Sequence, residues 1–205
     1  QESIMRSALF APIIGIFLFL PGQSNAADFV VDASHSNVSF KVRHMMVTNV
    51  RGEFGTFSGE VSYDPKNPTQ TTAKVSIDAS SIDTNDEKRD GHLKSPDFFD
   101  TGKFATITFE STKAKKRGKN GLEVHGKLTM RGITKPVVLE VEDITNEVTD
   151  PWGNTKIGAT LTTTINRHDF GVSWNKTLDK GGVVVGDQVK ITIDLELNKK
   201  QPKDA

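Results

Sequence analysis

The chain has 205 residues, with 26 basic and 26 acidic side chains, a formal net charge of zero and no cysteine. Neutrality argues against electrostatic binding of nucleic acid, which needs a basic face to displace counterions. The missing thiol removes cysteine nucleophiles, disulfides and every cysteine-based metal site.

At the amino-terminal end Arg6 precedes an uncharged apolar run over residues 8–20, and Ser24-Asn25-Ala26 supplies small residues for a peptidase. This layout predicts a secretory signal over residues 1–26, with Met5 as its initiator; an uncleaved anchor is the alternative. The run is shorter than the roughly 20 residues a membrane span requires. Export to the periplasm or medium is therefore expected, with residues 27–198 as one domain and 199–205 as a disordered tail.

After Asp28 the dominant period is two, the signature of strands buried on one side. Val38, Phe40, Val42, His44 and Met46 share a face, with Ser39, Lys41 and Arg43 on the other. Alternation recurs over residues 57–64, 72–79, 105–111, 122–130, 137–141, 157–165 and 189–197, about eight strands in all. Turn residues separate them, among them Asp64-Pro65, Asn120-Gly121 and Asp150-Pro151-Trp152-Gly153. Such strands bury their apolar faces as a sandwich or a closed barrel, and eight can close around a small ligand. The pattern itself does not choose.

Between strands, Thr84-Asn85-Asp86-Glu87 predicts a helix capped by Thr84, with Glu87 reaching back. The helix is short because Gly91 weakens it and Pro96 follows. Leu93, Phe98 and Phe99 trail it as an apolar cluster, suited to a lid over a barrel mouth or to a helix plugging a small core.

Catalytic patterns mostly fail. His35, His44, His92, His125 and His168 are dispersed, without the HExxH spacing of two ligands on one helix face, so no metal is expected. Ser173-Trp174-Asn175-Lys176 matches SxxK, but it lies in a turn-prone, β-rich region without a KTG partner. Arg89, Asp90 and His92 form either a headgroup site beside Leu93 or a solvated helix face with a local ion pair. His44 is either a hydrogen-bonded core histidine or a ligand contact. Phe40, Met46, Phe54 and Phe57 are core residues or an adaptable lining for a flexible chain.

Longer blocks run through the chain: His35-Ser36, Arg51-Gly52-Glu53-Phe54, Ser80-Ser81-Ile82-Asp83-Thr84, Arg89-Asp90-Gly91-His92-Leu93, Met130-Arg131-Gly132-Ile133-Thr134-Lys135-Pro136 and Asp169-Phe170-Gly171. Together they resemble the YceI-like family of lipocalin-like, polyisoprenoid-binding periplasmic proteins, from about residue 32 to 197. One departure is Ala105, where the family often has proline. The resemblance implies an all-β, eight-stranded antiparallel barrel with an insertion helix and an apolar tunnel. It implies binding, storage or transport of an isoprenoid quinone, polyprenyl or fatty amphiphile, with no catalytic residue and no cofactor beyond that bound lipid.

On this reading Phe40, Val42, His44, Met46, Phe54, Phe57, Phe98 and Phe99 are expected on the ligand-contacting wall, with Arg89, His92 and Leu93 beside them. Transient contact with a membrane or a membrane redox protein, and a homodimer, are compatible with such a carrier. The competing readings are a lipid-modifying enzyme, with His44 or the Arg89/Asp90/His92 set as acid–base groups, and a stress-related envelope protein whose cavity is vestigial.

Overall fold

The alternating segments pair edge to edge until the last strand meets the first. The computed structural model describes residues 26–179 and 181–201. The expected signal lies outside them apart from Ala26, as do tail residues 202–205. The strands are β1 (Ala27–Val31), β2 (Asn37–His44), β3 (Thr48–Phe54), β4 (Phe57–Tyr63), β5 (Thr72–Asp78) and β6 (Ile82–Asp83). After α1 (Glu87–Lys94), the single α-helix among the described residues, come β7 (Thr106–Arg117), β8 (Gly121–Met130), β9 (Ile133–Glu142), β10 (Val148–Thr149), β11 (Thr155–Asn166) and β12 (Val185–Lys199).

Three of the wall strands are broken by bends. β1 and β2 both pair with β12, and they pair with β4 and β3 respectively. β5 and β6 likewise pair with β4 and β3. Counting β1/β2, β3/β4 and β5/β6 as one bent strand each gives an eight-stranded antiparallel barrel in chain order, closed by β12. β10 is an appendage on β11.

Register follows the apolar alternation. Ile157, Ala159, Leu161 and Ile165 of β11 lie opposite Leu197, Leu195, Ile193 and Val189 of β12. A slip of one residue would turn all of them outward, so burial of this face fixes the pairing. The core forms one cluster with Val38, Phe54, Ile107, Met130, Ile165 and Phe170, a second around Phe109, Leu122, Val124 and Leu161, and a third around Phe29, Ile157 and Leu197.

Two expectations need correction. The cap of α1 is Asp86, whose carboxylate accepts from the Arg89 N–H at 3.0 Å. Asn85 takes a left-handed φ of 60° and turns the chain before the helix starts, leaving Thr84 too early to cap it. The Thr84 hydroxyl instead donates to Asp90 at 2.5 Å and accepts from Arg89 Nε at 2.7 Å. The second is the start of the expected tail at residue 199, because β12 runs through Lys199. Lys200 then donates its N–H to the Asp28 carbonyl at 2.7 Å and its Nζ to Glu60 at 2.8 Å.

Candidate functional site

The inward faces do not fill the barrel. They enclose a cavity of about 390 Å³, lined almost wholly by apolar side chains from every barrel strand. That volume lies within the range of small-molecule sites. At one end Val61, Tyr63, Ile157 and Leu197 face it; at the other are α1, the loop after it and the 172–174 segment.

Phe40, Val42, His44, Phe54, Phe57, Arg89, His92, Leu93, Phe98 and Phe99 all lie on this wall. Met46 does not, and that expectation is corrected. β2 stops at His44; Met45 and Met46, at φ 50° and 59°, make the turn into β3, and Met46 is 56% exposed. The alternation that would carry Met46 inward ends two residues before it.

The β2–β3 hairpin brings Phe40 against Phe54 at 5.9 Å between ring centres, and Phe54 meets Phe99 edge-on at 5.8 Å. Phe40 fits because residue 52 is glycine: a Cβ there would lie 2.6 Å from the Phe40 ring. Beyond α1, His92 stands edge-on to Phe98 at 4.9 Å and to Trp174 at 5.0 Å. His92 Nε2 also lies 3.0 Å from an Asp97 carboxylate oxygen. Trp174 lines the cavity although its sequence context pointed only to the SxxK pattern.

The polar wall residues that sequence reasoning missed include Arg167, which is 3% exposed. Its guanidinium donates to the carbonyls of Val172 at 2.7 Å, Trp174 at 2.9 Å and Gly186 at 2.9 Å. Burial pulls its pKa below the usual arginine range, with Asp187 opposing. Arg167 therefore clamps the 172–174 segment to the start of β12, and its hydrogen bonds go to the backbone. Arg131 does similar work, donating to the carbonyls of Pro96 and Gly171 and tying the loop after α1 to the turn at Phe170. The Arg89 side chain is held by Thr84, and its N–H by Asp86.

Away from the cavity, Asp32, His35 and Glu196 bring three possible metal-ligand atoms within 4.8 Å of one another. The Lys156 ammonium sits among them, 3.2 Å from Asp32 and 2.7 Å from Glu196, where it supplies the balancing positive charge. The cluster is an ion-pair clasp at the β1–β2 bend. Hydrogen bonds from Ser34 and His35, then from Lys156 and Asn198, hold the Asp32 carboxyl well below the usual carboxylate range.

Known proteins share this architecture. A UPF0312 protein of Shewanella sp. strain W3-18-1 is 40% identical over 170 residues, covering 82% of this chain and 88% of that protein. The crystal structure of BcnA from Burkholderia cenocepacia superposes with a TM-score of 0.71 at 28% identity, covering 81% of this chain and 98% of that one. A polyisoprenoid binding domain from Saccharophagus degradans has the same fold, with a TM-score of 0.61 at 15% identity over 85% of this chain and 99% of that one. The family model of the YceI-like domain matches residues 29–197, and the chain belongs to that family.

Proposed function

We propose that the barrel binds the apolar chain of an isoprenoid quinone, polyprenyl or fatty amphiphile and stores or carries it unchanged in the cell envelope. The observation that carries this reading is the internal cavity walled by aliphatic and aromatic side chains. Burial of a chain there contributes roughly 0.8 kcal/mol per CH₂ before the costs of ordering it. The Saccharophagus degradans neighbour, described as polyisoprenoid binding, supports the ligand class. Arg167 donates to backbone carbonyls, which suits a wall that holds rather than reacts. The signal-like segment supports release into the periplasm.

Val42→Trp tests the reading. Val42 faces the cavity between Val50 of β3 and Val189 of β12. A tryptophan there is expected to block binding of a fluorescent polyene fatty acid while the lipid-free protein melts near its parent's temperature. If the interior were packed solid, the same change would overpack it and cost about 1–3 kcal/mol, so strong destabilisation defeats the cavity. Full binding by the variant also defeats it. Native mass spectrometry of chain recovered from the periplasm should show lipid bound; a chemically altered lipid would point to an enzyme instead.

A further inference from the structure

The tip of the β2–β3 hairpin exposes three consecutive apolar side chains, Met45, Met46 and Val47, the last 77% exposed. Hairpin turns with positive φ favour asparagine and glycine, so two methionines there are not what the turn itself selects. Contiguous exposed apolar side chains, unlike isolated ones, mark surfaces for association.

Cations gather on the outer face of the hairpin beside this tip, and the nearby Asp187 of β12 is engaged by His168 at 2.8 Å. On the outward side of the barrel Lys190 of β12 lies directly opposite Lys41 of β2, which lies directly opposite Arg51 of β3. Like charges facing each other across a sheet repel, and none of the three has a carboxylate partner in an ion pair among the described residues. Arg43 adds a fourth cation, its guanidinium reaching the Met46 carbonyl at 2.9 Å. No acidic residue occurs from Asn37 to Gly52.

The patch is continuous with the cavity. His44, next to the tip, and Val184, whose carbonyl accepts from the Met45 N–H at 2.8 Å, both line the interior. We propose that the tip and outer face of the β2–β3 hairpin dock on an anionic lipid bilayer and set the α1 end of the cavity against it. This inference rests on the cavity being a lipid site. A specific protein interface needs about 800 Å² from each partner, more than three tip residues offer, whereas a bilayer needs only an inserting apolar tip and a basic rim.

Charge distinguishes this end from the other. Trp152, 83% exposed, and Val148 also project into solvent, but Asp143, Glu147 and Asp150 are their neighbours in sequence, and the lysines there, Lys156 and Lys199, are already paired with Asp32, Glu196 and Glu147. An anionic surface repels that company.

The test is co-sedimentation of lipid-free chain from Ala26 onward, which carries the whole closed barrel, with phosphatidylcholine vesicles with and without phosphatidylglycerol. Binding is expected only with the anionic lipid and should vanish in about 1 M salt, where screening acts within about 3 Å. Lys41→Gln with Lys190→Gln should weaken it about 30-fold, at about 5-fold per cation. Met46→Ser with Val47→Ser should weaken it too, and Trp152→Ser should leave it unchanged. Equal binding to neutral vesicles, indifference to the charge changes, or dependence on Trp152 would each overturn the proposal. Fatty-acid binding in vesicle-free solution is the separate readout for the cavity: Val42→Trp should lose it and still bind vesicles.

Discussion

Asp32 shows how much of this fold hangs on a single carboxylate. It collects Ser34, His35, Lys156 and Asn198 at the bend between β1 and β2, and its pKa is held low in consequence. A depressed carboxyl stabilises the fold above its unfolded pKa of about 3.9, and the contribution is lost as pH falls toward the folded value. Asp64, Asp78, Asp86 and Asp150 share that sign, so stability should fall steeply below about pH 4. Asp32→Asn should flatten part of that acid limb and lower the denaturation midpoint at neutral pH. Parallel profiles for variant and parent would remove Asp32 from the account. At this scale the sequence was legible where side chains sit inside strands: Phe40, Val42 and Phe57 face the cavity as their alternation implies. It was not legible for Met46, because nothing in a Met-Met pair announces a turn. Nor was it for Arg167, whose donors meet carbonyls contributed by segments up to 19 residues away.

Among the elements, β7 and β8 reveal what period two hides. Their register shifts between Ser111 and Lys113, so the ladder carries a bulge, and Gly126 sits at it opposite Ser111. A Cβ on Gly126 would lie 2.3 Å from the Phe109 ring and 2.7 Å from the Glu110 carbonyl oxygen. The ring can shift, but the backbone cannot without breaking the ladder. Gly126→Ala should therefore destabilise by about 1–3 kcal/mol, read as a lower denaturant midpoint with an unchanged slope. An unchanged midpoint would mean that the pair gives way freely. Bulges and bends explain most of what was missed among the elements. The breaks at residues 32–36, 55–56 and 79–81 each reset the alternation, so only one half of each bent strand reads as a strand. β1 escaped notice for that reason, being only five residues long before its bend. The helix was legible as an element, but its cap depended on the turn at Asn85.

For the molecule as a whole, alternation left sandwich and barrel equally open; the resemblance to a known family supplied closure, and the register of β12 realises it. That strand pairs along one edge with β11 and along the other with both β1 and β2. The seam unites the two ends of the described chain: Phe29 lies opposite Lys199. Contacts so distant in sequence slow folding, since loop-closure entropy opposes them. The interior space is closed only when that seam is made. A second consequence concerns where the polypeptide is cut. With the ends side by side, a short glycine–serine linker can join residues 26 and 201, and new ends can be opened in the exposed β7–β8 turn at residues 118–120. Such a circular permutant should refold at a different rate yet bind fatty acid as its parent does, and loss of binding would show that strand order along the chain matters to the finished wall. What the fold specifies is a ring of neighbours, in which no strand is intrinsically first.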